Sequence, residues 1–113
     1  MNKIEAIIRP ENLNRVKDAL AEIGLMGLNV AHVTGRGTQR GVSAGPRGVG
    51  TGSVDMFPKI KLELVVSDAD TQKAIDTIIH KARSGDIGDG KIFVSPVVDA
   101  IRVRTGEQGD EAL

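Results

Sequence analysis

A chain of 113 residues, 40% hydrophobic and 27% charged, has the make-up of one soluble globular domain spanning 1–113. Its 15 basic and 15 acidic residues cancel, and it has two phenylalanines but neither tryptophan nor tyrosine, which argues against a dedicated nucleic-acid binder or a base-stacking surface. The absence of cysteine excludes disulfides and thiolate zinc sites. No apolar run is long enough to span a bilayer and the opening Met1-Asn2-Lys3-Ile4-Glu5 does not read as a secretory leader, so a cytoplasmic protein without membrane insertion is expected. A net charge of zero favours self-association.

Residues 3–9 alternate polar and apolar side chains and stop at Pro10, which predicts a strand with one face on a core. Leu13, Val16, Leu20 and Ile23 then recur at helical spacing, with Asn12 or Asn14 as the expected cap and Gly24 and Gly27 at the end. Residues 28–34 alternate again. From Gly35 to Phe57 the pattern disappears into a glycine-punctuated stretch, and a loop of about twenty residues inside a small domain is expected to be functional and mobile. A third strand follows Pro58 up to Val66, and a second helix is expected over Ala74, Ile75, Ile78, Ile79 and Ala82, capped by Asp68 or Asp70.

The segment Ser84-Gly85-Asp86-Ile87-Gly88-Asp89-Gly90-Lys91 joins that helix to a short strand at 91–95. Glycines permit backbone angles that let N–H groups converge on an anion, so this turn reads either as a phosphate cradle closed by Lys91 or as a tight helix-to-strand connection stopped by Gly85. After Pro96, residues 97–104 resume an extended pattern in which Arg102 and Arg104 project to one side, and the tail 105–113 is expected to be mobile. Two arginines so spaced suit phosphate, or else guard a strand edge. No nucleophile–base pair and no protein-made metal cage stands out; His32 and His80 are isolated, so no catalytic residue is assigned.

The order β-α-β, long loop, β-α-β predicts an α+β, ferredoxin-like sandwich with an antiparallel sheet and both helices on one face. Ile7 beside Ile8 and Val65 beside Val66 put apolar residues on both sheet faces, which a neighbouring subunit would bury.

Residues 84–94 resemble the signature of the PII signal-transduction family, the nitrogen regulators. The likeness continues through residues 3–10, 19–24, 57–63 and 101–107, nearly the whole chain in order. It implies a regulator rather than an enzyme, a homotrimer with ATP or ADP in the clefts between subunits. Gly88, Asp89, Gly90 and Lys91 would hold phosphates, Arg102 and Arg104 would reach them from the adjacent subunit, and Asn29, Gly35, Gly37, Thr38, Gln39, Glu63 and Val65 would complete the nucleotide site. It further implies 2-oxoglutarate bound with Mg²⁺-ATP through Gln39 and Lys59, the metal being shared between the keto acid and the phosphates.

The loop at about 36–57 corresponds to the family's partner-binding T-loop, with Arg40, Ser43, Arg47, Thr51 and Ser53 as its candidate contacts to a protein target. That target would be an ammonium transporter, a metabolic enzyme or another transporter. Thr38 stands where most members carry arginine, and Asn29 where a threonine is usual. The family's uridylylation motif, Tyr-Arg-Gly-Ala-Glu-Tyr, is Pro46-Arg47-Gly48-Val49-Gly50-Thr51 here, and a chain without tyrosine cannot undergo that modification. These departures leave two alternatives: a specialised regulator of a transporter or nitrogenase system with another effector, or a weak nucleotide hydrolase on the same fold.

Overall fold

The computed structural model describes residues 1–37 and 56–113. Strand β1 (Asn2–Ile8) ends where Pro10 removes a backbone donor, and a 3-10 turn over Pro10–Asn12 runs directly into helix α1 (Leu13–Glu22). Strands β2 (Asn29–Gly35) and β3 (Phe57–Val66), helix α2 (Asp68–Ala82) and strand β4 (Gly90–Pro96) follow. The strands form one sheet in the order β2-β3-β1-β4, every neighbouring pair antiparallel. This is the ferredoxin-like α+β arrangement expected from the alternating periods.

The alternation decides which side each residue serves. Ile4, Ala6 and Ile8 of β1 stand opposite Leu64, Leu62 and Ile60 of β3, and all six are buried under the helices. Val16 and Leu20 of α1 and Ala74, Ile78 and Ala82 of α2 meet them from above, and Ala19 is buried as well. The other sheet face carries Lys3, Glu5 and Ile7 beside Lys61, Glu63 and Val65, with Phe93 on the edge strand 57% exposed. A large ring left that open on a half-apolar face is the kind of surface that association covers.

Three local expectations change. Asn12 occupies the cap position of α1, but its side chain donates to the Ala82 carbonyl and accepts from Arg15 instead of capping. The cap of α2 is Ser67, whose hydroxyl accepts from the Asp70 amide at 3.3 Å, because Asp68 and Asp70 already lie inside the first turn. There Asp68 takes the N-terminal ammonium at 2.9 Å, which fastens the start of β1 to the start of α2. The helix stops at Ala82, with Arg83 already extended, so Gly85 lies beyond the stop.

Residues 97–104 are not a strand, which corrects the placement of Arg102 and Arg104 on one strand face. The segment closes on itself: Arg102 N–H donates to Glu107 O at 2.9 Å, Gly106 N–H to Arg102 O at 2.7 Å, and Ile101 pairs with Gln108 as an isolated bridge. An extended run becomes sheet only when another edge offers donors and acceptors. Val98, Ile101 and Val103 remain exposed. The tail expected to be mobile forms that turn and a 3-10 helix at Gly109–Ala112.

Candidate functional site

Antiparallel pairing of β1 with β4 places Ile8 opposite Gly90, so the end of the first strand meets the end of the glycine turn. Gly90 is required there: at φ +114° a Cβ would sit 1.8 Å from the Ile7 carbonyl oxygen. Gly88, at φ +101°, reverses the chain just before it.

Side chains hold the turn. The Asp89 carboxylate accepts from the Ser84 amide at 2.7 Å and the Gly85 amide at 2.8 Å, and the Ser84 hydroxyl donates to its other oxygen. Converging N–H groups therefore do meet an anion, but the anion belongs to the turn itself. Those bonds, led by the Ser84 hydroxyl, hold the Asp89 carboxyl below the usual carboxylate range. Arg9, which sequence reasoning missed, donates to the Ile87 carbonyl at 2.8 Å and lies 3.5 Å from Asp89. The signal that could have found it is topological: in this fold the residue that follows β1 must face the connection into β4.

Lys59 enters from β3 and donates to the Gly88 carbonyl at 2.8 Å. Burial pushes its ammonium pKa down, and the neighbouring Arg9 charge pushes the same way. Together with Gly35, Arg36 and Gly37 at the end of β2 and with Ile7, Gly88, Gly90, Lys91 and Phe93, Lys59 lines a cavity of about 310 Å³. Four stretches far apart in sequence thus converge on one hollow with cationic and glycine walls and an apolar floor from Ile7 and Phe93. Such a hollow can take an anion attached to a flat apolar group.

Other predicted residues lie elsewhere on the chain. Asn29 and Glu63 are register partners at the far end of β2 and β3 and line a second, smaller hollow with Lys61. Val65 faces a third cleft, beside Leu25, Met26 and Leu113. Arg102 is tied to its own tail, 3.8 Å from the Glu107 carboxylate and within 3.4 Å of the Glu111 and Leu113 carbonyls. Arg104 is exposed on the turn. The predicted nucleotide residues are therefore separated: Gly35, Gly37, Gly88, Gly90 and Lys91 line one hollow, Asp89 is bonded within the turn, and Asn29, Glu63, Val65 and the two arginines lie outside it. Thr38, Gln39, Arg40, Ser43, Arg47, Thr51 and Ser53 lie outside the described residues.

Among the described residues no cluster of three or more histidines, aspartates and glutamates could hold a metal, and no helix is long and apolar enough to cross a membrane.

Comparison with known proteins adds an independent line. The family model described as "Nitrogen regulatory protein P-II" matches residues 1–107. The chain is 49% identical over 113 residues to "Nitrogen regulatory protein P-II 1" of Methanothermobacter thermautotrophicus, covering all of this chain and 97% of that one. It is 50% identical to "Nitrogen regulatory protein P-II" of Rhodospirillum rubrum and 49% identical to that of Klebsiella oxytoca, each alignment covering both chains completely.

Proposed function

The chain belongs to the nitrogen regulatory protein P-II family, and from that membership we propose that it senses ATP and ADP and passes the result to a protein target. It is a regulatory protein of nitrogen metabolism and not an enzyme. The observation that carries the nucleotide reading is the convergence of Gly35, Gly37, Lys59, Gly88, Gly90 and Lys91 on one cavity. Lys91 supplies charge for phosphates, and Ile7 and Phe93 offer an apolar surface for a base.

The site is half of one in this reading. In a homotrimer, Asn29, Glu63, Val65, Arg102 and Arg104 of a neighbour complete each cleft, and the exposed Phe93, Val98, Ile101 and Val103 are covered by association. Mg²⁺ would be carried by the phosphates and would offset their charge; among the described residues the cavity walls are cations and glycines. Gln39 and Lys59 would be the residues that hold 2-oxoglutarate, Lys59 by pairing with one carboxylate, and the metal would supply the charge that lets a second anion bind there. Residues 36–57 carry the message to a cytoplasmic target or the cytoplasmic mouth of a transporter, with Arg40, Ser43, Arg47, Thr51 and Ser53 as contacts.

Titration calorimetry with ATP, ADP and AMP, with and without Mg²⁺ and 2-oxoglutarate, tests this. ATP and ADP are expected to bind below millimolar concentration and 2-oxoglutarate only with Mg²⁺-ATP. Failure of both nucleotides overturns the sensor; nucleotide binding without a 2-oxoglutarate response moves the effector to another small molecule, in keeping with Thr38 in place of arginine.

A further inference from the structure

We infer that Arg9 is the positioning residue of the glycine turn, holding it open for phosphate without touching the ligand. The inference rests on the nucleotide reading above for its purpose, but the geometry stands apart from it.

Among the described residues, no backbone–backbone hydrogen bond outside helices and strands falls within 84–89. Ile87 and Gly88 form one turn, but the rest of the six-residue connection, with glycines at φ +95° and +101°, has no regular ladder to keep its shape. Its conformation is imposed by side chains at three points. The Asp89 carboxylate gathers the Ser84 and Gly85 amides at its start. Lys59 takes the Gly88 carbonyl near its end. Arg9 joins the two regions with one planar group, donating from Nη2 to Ile87 O at 2.8 Å while Nε faces Asp89 Oδ1 at 3.5 Å.

Arg9 is itself held. It sits at φ −68° and ψ 141°, the extended geometry that a following proline enforces, so Pro10 aims its side chain at the turn. It is not among the residues lining the cavity. Its influence passes through the turn: it keeps the Asp89 carboxylate on the Ser84 and Gly85 amides and fixes the peptide that precedes Gly88. Without it, Asp89 loses its 3.5 Å ion pair and the Ile87 carbonyl its donor, and the turn samples forms in which Gly88 and Gly90 no longer face Lys59 and Lys91.

The test compares the full-length wild type with Arg9→Gln and Arg9→Lys in two measurements. Amide hydrogen exchange in the nucleotide-free protein reads the turn directly, and calorimetry with ADP reads its purpose. Arg9→Gln should speed exchange at the Ser84 and Gly85 amides and weaken ADP binding, each by about tenfold, the scale of one charge-assisted hydrogen bond. Exchange in the buried strands β1 and β3 should stay as in wild type, which a general loss of stability would not allow.

Arg9→Lys keeps the charge beside Asp89 but lacks a fork for both partners, so it should fall between the other two in both measurements. Wild-type exchange at Ser84 and Gly85 in Arg9→Gln overturns the inference. If Arg9→Gln does not fold, Arg9→Lys decides, and wild-type exchange and ADP affinity in that variant overturn it. If the wild type itself does not bind ADP, the nucleotide reading fails while the exchange data still judge Arg9.

Discussion

Lys59 and Gly88 are joined by a 2.8 Å hydrogen bond from the ammonium to the carbonyl oxygen. Residue 59 belongs to the strand that resumes after the long loop, and residue 88 to the turn that would hold phosphate. A carboxylate that captures Lys59 must compete with Gly88, so the bond couples whatever binds at the loop's foot to the shape of the turn. Lys59→Met should therefore abolish any 2-oxoglutarate response and weaken ADP binding, while the protein stays folded. Calorimetry with and without the keto acid checks both.

The same lysine has an alkaline signature. Its pKa in the folded protein is lowered by burial first and by Arg9 second, so the unfolded chain binds that proton more tightly. Ionised Lys59 then costs stability at neutral pH. As pH climbs from the lowered folded value toward the ordinary lysine value of 10.5, the folded state loses its proton first and the cost fades. Urea denaturation across that range should show wild type gaining on Lys59→Met as pH rises; a constant difference would refute it.

Asp89 has the opposite behaviour. Its carboxyl pKa lies below the ordinary 3.8, chiefly through the Ser84 hydroxyl and then the backbone amides of Ser84 and Gly85. Its stabilisation is therefore complete above 3.8 and lost as pH falls through the folded value. Thermal unfolding between neutral pH and strong acid should show wild type ahead of Asp89→Asn at neutral pH and the gap closing in acid.

Gly90→Ala forces a Cβ to within 1.8 Å of the Ile7 carbonyl oxygen, at a φ of +114° that side chains rarely adopt. The β1–β4 pairing must shift at that end, and the expected loss is more than about 2 kcal/mol. Gly85→Ala, at φ +95° but with nothing within 4 Å, should cost only about 1 kcal/mol. Chemical denaturation of the two variants tests the ranking.

The two arginines should separate. Arg102 holds the Glu111 and Leu113 carbonyls and faces Glu107, so Arg102→Ala should speed proteolysis of the C-terminal turn as well as weaken ADP binding. Arg104 is exposed and, among the described residues, has no hydrogen bond or ion pair. Arg104→Ala should leave the tail intact and reduce ADP affinity by about tenfold, provided the subunits associate. Limited proteolysis and calorimetry, run on both, distinguish them.

What the chain determined by itself is the sandwich. Alternation in residues 3–9 and 59–66 and helical spacing at Val16 and Leu20 or Ala74 and Ile78 are local periods, and burying the apolar side of each leaves one way to stack them. The glycine turn and Lys91 were legible for the same reason, since backbone freedom is a property of residue type. Only the tertiary structure decided how the turn is held. Arg9 and Lys59 reach it through pairings of β1 with β4 and of β1 with β3, and no spacing in the sequence measures those distances. Only the tertiary structure decided, too, that residues 97–104 fold back on themselves instead of forming a strand. Their alternation satisfies the period of a sheet, but their hydrogen-bonding groups find Glu107 and Gln108 rather than a strand edge.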